Sequence, residues 1–195
     1  MEPMAIYGKS RITNLSRSIS LSILNENGRE IPFETSQSTP IEFLIPRDPN
    51  VEIPRMISTN KSFHYFNFTN DLPIAIHFEI NANFSYLFLY KFDAFPIYTS
   101  SIRRVDGWTF VVNRTNFTYM IDNQRTLGHR FLIFGLQEYN SHFFNYEYRI
   151  YVSGCYYLNK ENEWISDGLL VGPKTNLYQT HCYSMHLELS CKKPI

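Results

Sequence analysis

Residues able to do covalent or metal chemistry gather toward the C-terminus. Cys155, Cys182 and Cys191 are the chain's three cysteines, and His181 and His186 lie among them. Three thiols allow at most one intrachain disulfide with one sulfur left over. Two buried free thiols are an alternative, and so is a zinc site drawn from Cys155, Cys182, His181 and His186, although that set lacks the close paired spacing of Cys-x-x-Cys. Elsewhere stand His64, His77, His129 and His142. None belongs to a His-Glu-x-x-His helix, and there is no Gly-x-Ser-x-Gly elbow and no glycine-rich phosphate loop. His77 and Glu79 fall on one face of a predicted strand, where they suit a polar outer face at least as well as an acid–base pair. No metal and no cofactor is expected.

The elements that must position these groups read as short strands. Ile74, Ile76, Phe78 and Ile80 alternate with Ala75, His77 and Glu79. Tyr86, Phe88, Tyr90 and Phe92 oppose Leu87, Leu89 and Lys91. Trp108-Phe110-Val112, Phe117-Tyr119-Ile121, Phe131-Ile133 and Tyr146-Tyr148-Ile150-Val152 repeat the pattern, as does Ile19-Leu21-Ile23 between serines. Asn27-Gly28 and Asp106-Gly107 read as tight turns, because Asn, Asp and Gly tolerate positive φ. Asn70-Asp71-Leu72-Pro73 and Phe95-Pro96 punctuate the middle. Residues 32–40, rich in Ser, Thr and Pro, read as a loop, and Pro46-Arg47-Asp48-Pro49 as a stiff extended turn. Many short strands with frequent turns predict an all-β antiparallel sandwich.

Composition agrees. Of 195 residues, 44% are hydrophobic and 16% aromatic, which supplies a sizeable core and favours pleated surfaces. Charged residues make up only 18%, which argues against disorder. Lys+Arg and Asp+Glu are equal at 18, so the basic excess of a nucleic-acid binder is missing. No apolar run approaches the length of about 20 residues that spans a bilayer, and the first residues lack the apolar stretch of a secretion signal. Six Asn-x-Ser/Thr sequons begin at Asn14, Asn60, Asn67, Asn83, Asn113 and Asn116. They point to a glycosylated surface in an oxidising, extracellular compartment, where a disulfide also persists.

Three blocks carry a resemblance. They are Thr39-Pro40-Ile41-Glu42-Phe43-Leu44-Ile45-Pro46-Arg47-Asp48-Pro49, then Ile76-His77-Phe78-Glu79-Ile80, and finally Tyr148-Arg149-Ile150-Tyr151-Val152-Ser153-Gly154-Cys155-Tyr156-Tyr157. The last block continues through Trp164 and Asp167-Gly168 to Cys182 and His186-Leu187. Together they resemble the polycystic kidney disease protein 1-like family, which includes polycystin and the receptor for egg jelly. The C-terminal part resembles the GPCR-proteolysis-site (GPS) motif that closes a GAIN domain. The resemblance implies a GAIN-B-like β-sandwich over residues 39–190, with the GPS motif at 154–188. Residues 1–38 would supply N-terminal strands and a loop, and 191–195 a tail.

It also implies a place and a pairing. The module would sit on the extracellular side of a membrane receptor or channel-like protein and be partnered by that protein's membrane portion. An extracellular protein or glycan ligand is a further partner class, and nucleic acid is not. Cys155 would bridge Cys182, leaving Cys191 over, and Trp164 would pack on the bridge or under the Asp167-Gly168 turn. In cleaving members a Thr or Ser follows His-Leu. Its hydroxyl attacks the preceding carbonyl carbon while the His takes the proton. Here that residue is Glu188, a weak nucleophile whose attack would give a high-energy anhydride, and Ser190 stands two residues late. The expectation is a non-catalytic module with a degenerate cleavage site at His186, Leu187 and Glu188. Its rivals are a glycan- or protein-binding sandwich, and an autoprotease using Ser190.

Overall fold

The computed structural model describes residues 26–27, 40–68, 72–99, 103–112, 115–138, 145–158, 161 and 163–184. The strand expected over residues 19–23 and Gly28 of the first expected turn lie outside them, while Glu26 and Asn27 form a turn. The described chain is strand, turn and irregular backbone, so the fold is all-β. Among the described residues no helix is long and apolar enough to cross a membrane.

Two four-stranded antiparallel sheets make the sandwich. The first has the order β3 (Phe63–Asn67), β10 (Phe131–Glu138), β5 (Tyr86–Phe92), β8 (Gly107–Val111). The second runs β2 (Ile57–Thr59), β11 (Tyr146–Ser153), β4 (Ala75–Asn81), β9 (Phe117–Ile121). A three-stranded sheet has the order β1 (Ile41–Pro46), β15 (Gln179–Ser184), β14 (Leu169–Val171). Two small ribbons pair β6 (Ile97–Tyr98) with β7 (Arg103–Arg104) and β12 (Tyr157–Leu158) with β13 (Trp164–Ile165).

Because successive side chains in a strand point to opposite faces, the aromatic phase of β5 fixes the core. Tyr86, Phe88 and Tyr90 meet Leu132, Phe134 and Leu136 of β10, Ile76, Phe78 and Ile80 of β4, and Tyr148 and Ile150 of β11. The Phe78 ring contacts Phe88 at 5.2 Å and Phe134 at 5.0 Å across the two sheets. Burying each such ring contributes about 1.5–3 kcal/mol.

The three-stranded sheet covers part of the outer face of the second sheet. Phe43 and Ile45 of β1 and Leu169 and Val171 of β14 pack with Ala75 of β4 and Met120 of β9. This corrects the polar outer face expected at His77. The imidazole is only 5% exposed, stacks on Tyr151 at 4.7 Å, and lies with Nε2 2.6 Å from Ser153 Oγ. Arg47, just after β1, closes over the same Tyr151 ring at 5.5 Å and donates to Val152 O. Glu79, farther along β4, is half-buried and paired with Arg149. The two residues that share a face therefore serve different partners.

Loops lock the layers. Asn123, buried in the turn after β9, donates from Nδ2 to Leu169 O at 3.1 Å and accepts Val171 N at Oδ1 at 3.3 Å. Thr126 Oγ1 donates to Ile74 O at 2.6 Å. Asp106-Gly107 is not the expected positive-φ turn. Gly107 opens β8 opposite Tyr90, and a Cβ there would run into the Tyr90 ring, so the glycine serves close packing. Asp106 meanwhile accepts Phe92 N at 2.7 Å.

Candidate functional site

The backbone carries Cys155 and Cys182 together from opposite directions. Cys155 lies two residues beyond Ser153, the end of β11, and Cys182 sits within β15 between Phe43 of β1 and Val171 of β14. The two form a disulfide, fully buried, with Cα atoms 5.8 Å apart. Ala75, Leu169 and Val171 wall it in, with Phe43, Ile45, Met120 and Tyr157 partly buried against them. The zinc alternative loses its sulfur ligands to this bridge. His181 is committed as well, since its Nδ1 accepts Lys174 N at 3.4 Å and its Nε2 lies 3.3 Å from Glu42 Oε2. Its ring occupies the space above Gly172, which a Cβ would fill.

The residues around the bridge explain the Gly154-Cys155-Tyr156-Tyr157 spacing. A Cβ on Gly154 would strike the Tyr156 ring, so glycine lets the phenol fold back and donate to Pro73 O at 2.8 Å. Tyr157 then packs beside the disulfide. Trp164 pairs with Leu158 across the β12–β13 ribbon and is half-buried. Among the described residues, the apolar groups clustered on the bridge are those named above. Gly168 has φ 70° in a turn closed by Leu169 N to Ser166 O at 2.9 Å, a conformation that favours glycine at that position.

The other sequence-derived site residues divide between these surfaces and the rest of the chain. His186, Leu187, Glu188, Ser190 and Cys191 lie outside the described residues, as do His142, Asn14 and Asn113. Asn60, Asn67, Asn83 and Asn116 are all exposed.

Three polar arrangements escaped sequence reasoning because their members are far apart in the chain. His64 of β3 bonds across the sandwich, with Nε2 2.7 Å from Tyr146 Oη and the Tyr148 hydroxyl 3.3 Å from Nδ1. Tyr146 in turn donates to Lys61 O at 2.9 Å, so the neutral Nε2–H tautomer satisfies each partner. Burial pushes the His64 pKa down to about 4. The same cause, with Arg47 nearby, holds His77 at about 4. Asp93, at φ 52°, accepts His129 Nδ1 at 2.7 Å and the N–H groups of Arg130 and Phe131. Burial works to raise its pKa, but those hydrogen bonds outweigh it and keep the carboxylate below its ordinary range. Lys174 and His181 converge on Glu42, and the Lys174 hydrogen bond lowers that carboxyl. Asp93 thus holds a turn together, and Glu42 ties β1 to the β14–β15 loop.

The bridge has a measurable weight. Its sequence separation of 27 corresponds to about 3.5 kcal/mol of lost unfolded-chain freedom. Replacing both cysteines by Ala is expected to lower stability by about that much, read as a lowered urea midpoint, with a steeper slope because the uncrosslinked unfolded chain exposes more surface. A midpoint unmoved by the double substitution, and equally unmoved by reductant, would contradict this role. Comparison of the chain with family models, with curated proteins and with solved structures finds no match.

Proposed function

We propose that this chain is a non-catalytic extracellular juxtamembrane module, a GAIN/GPS-like sandwich of a polycystin-like membrane protein, with a structural and force- or signal-transmitting role. The observation that carries the reading is the Cys155–Cys182 bridge, which fastens β15 four residues before His186-Leu187-Glu188. A motif meant to hold its own terminal segment needs such an anchor. The order Cys155, Trp164, Gly168, Cys182, His186-Leu187 supplies the rest of the argument.

The acidic residue after Leu187 determines the chemistry. Cleavage by acyl shift needs a hydroxyl or thiol there, and a carboxylate does not provide it. With the bond intact, ectodomain and membrane part stay one covalent chain. The expected result is a single polypeptide on a reducing, denaturing gel and one intact mass. A break between Leu187 and Glu188 would refute the proposal, and one placed by Ser190 would favour the displaced autoprotease. Glu188→Thr restores the missing hydroxyl. Fragments meeting at that bond would show that the scaffold still strains it.

A second reading has its own observation. The outer face of the first sheet and the ribbon beside it leave Tyr65, Phe95, Trp108 and Phe110 exposed, and Arg103 lies over the rings of Tyr98 and Trp108. Aromatic faces with an adjacent guanidinium suit stacking against a sugar or a protein side chain. Binding of the domain on a glycan array, abolished by Trp108→Ala, would favour this reading.

A further inference from the structure

Strand direction sorts the sequons in space. β5 begins at Tyr86 opposite Glu138 and Val111, so the start of β5 and the ends of β10 and β8 share one pole of the first sheet. In the second sheet the end of β4 meets the starts of β9 and β11 and the end of β2, through the pairs Ile80–Phe117, Glu147–Asn81 and Tyr146–Thr59. The short β2–β3, β4–β5 and β8–β9 connections join these ends, so they belong to the same pole of the sandwich. Asn60, Asn83 and Asn116 lie in those three connections, one in each, and all are exposed. The disulfide lies at the other pole, just past Ser153, which pairs with Ala75.

Local geometry displays the acceptors. Asn83-Phe84-Ser85 and Asn116-Phe117-Thr118 share an aromatic middle residue, and both Phe84 and Phe117 pack against the main core. Phe117 and Thr118 open β9, where a residue turned inward sends its neighbour outward, so the partly buried Phe117 ring holds Thr118 toward solvent. Asn83 and Phe84 instead form a bend, with Ser85 half-buried beyond it. Asn116 and Thr118 are exposed, as is Asn83. Asn60-Lys61-Ser62 reaches the same result at a turn, where Lys61 N bonds Thr59 Oγ1 and all three sequon residues are exposed.

From this we infer that Asn60, Asn83 and Asn116 carry N-linked oligosaccharides, which crown the pole opposite the Cys155–Cys182 bridge. In the transfer, the asparagine Nδ2 forms a bond to the anomeric carbon of a lipid-pyrophosphate-linked oligosaccharide. The bond from that carbon to the pyrophosphate oxygen breaks, and the lipid pyrophosphate leaves with the electron pair. The amide proton passes to a base of the transferase, and nothing is oxidised or reduced. The consequence is local: bulky, hydrated chains shield the crowned pole from protein partners. The inference rests on the extracellular part of the function proposed above, and not on the cleavage chemistry or the family resemblance.

The test expresses the full chain in secretory cells twice, from its native transcript and with an added secretion signal. Peptide N-glycosidase treatment and peptide mass mapping then read Asn-to-Asp conversion. Conversion at Asn60, Asn83 and Asn116 in both arms is the expected result. Ser62→Ala, Ser85→Ala and Thr118→Ala should each remove one glycan from the intact mass, a readout independent of folding. Absence of conversion at these three sites in the signal-bearing arm would overturn the inference at the level of the sites. Conversion only with the added signal would overturn it at the level of compartment, and would overturn the extracellular placement with it.

Discussion

Acidification from pH 7 to pH 4 is expected to remove about 6 kcal/mol of folding stability, through two histidines that the fold buries without charge. His64 and His77 are 8% and 5% exposed, and both have folded-state pKa values near 4. In the unfolded chain each ring takes its proton near pH 6.5. Between those values the unfolded state binds more protons, so stability there rises with pH. The contribution is complete above about pH 6.5, falls as the pH drops toward 4, and is then fully lost. At about 1.4 kcal/mol per pH unit, each ring accounts for roughly 3 kcal/mol. A domain stable by about 5–15 kcal/mol would be brought close to unfolding. Urea titrations at several pH values, with histidine resonances followed by NMR, test this directly. The carboxylates held down by partners, Asp93 and Glu42, add their own loss at still lower pH. Folded-state titration of both rings near 6.5, or a flat stability profile from pH 7 to 4.5, would sink the prediction.

Phe88→Ala is expected to cost about 3–5 kcal/mol, the range for removing a large ring from a packed interior. Phe88 is fully buried and contacts Tyr119 at 5.1 Å, Phe78 at 5.2 Å and Phe117 at 5.9 Å. Those neighbours belong to β4 and β9 of the opposite sheet, so the cavity would open where the two sheets meet. Stiff rings on all sides limit collapse into the gap, and the cavity penalty adds to the lost burial. The measurement is the urea midpoint at neutral pH, with an unchanged slope showing that the fold is retained. Phe88→Leu should cost less, because it keeps much of the volume. A loss below about 1 kcal/mol for the alanine variant would mean the core is looser than these contacts imply.

The strands of the sandwich were legible in the sequence where one face is apolar. Tyr86, Phe88, Tyr90 and Phe92 alternate cleanly, and their inward phase is the one the fold uses. Tyr146, Tyr148 and Ile150 behave alike. The three-stranded sheet was harder to see, because its strands are defined by backbone pairing. Gln179–Ser184 has polar letters at most positions, yet it is the central strand between β1 and β14. Ile41–Pro46 was hidden by the prolines and the charged pair that follow it. His77 looked solvated because the sheet that covers it comes from chain segments distant in sequence. The cysteine pairing, expected from a resemblance, is present, and Trp164 pairs with Leu158 in a ribbon whose two-residue strands carry too little alternation to be read from sequence.

Asn123 has a consequence for association between molecules. A strand at the margin of a sheet normally offers unpaired amide and carbonyl groups, a template on which another chain can grow. On β14 the Val171 amide and the Leu169 carbonyl are already occupied by one side-chain amide that mimics a neighbouring backbone. An incoming strand would have to evict that buried group and strip its two hydrogen bonds before gaining its own. The β14 margin of the small sheet is thereby guarded against templated growth.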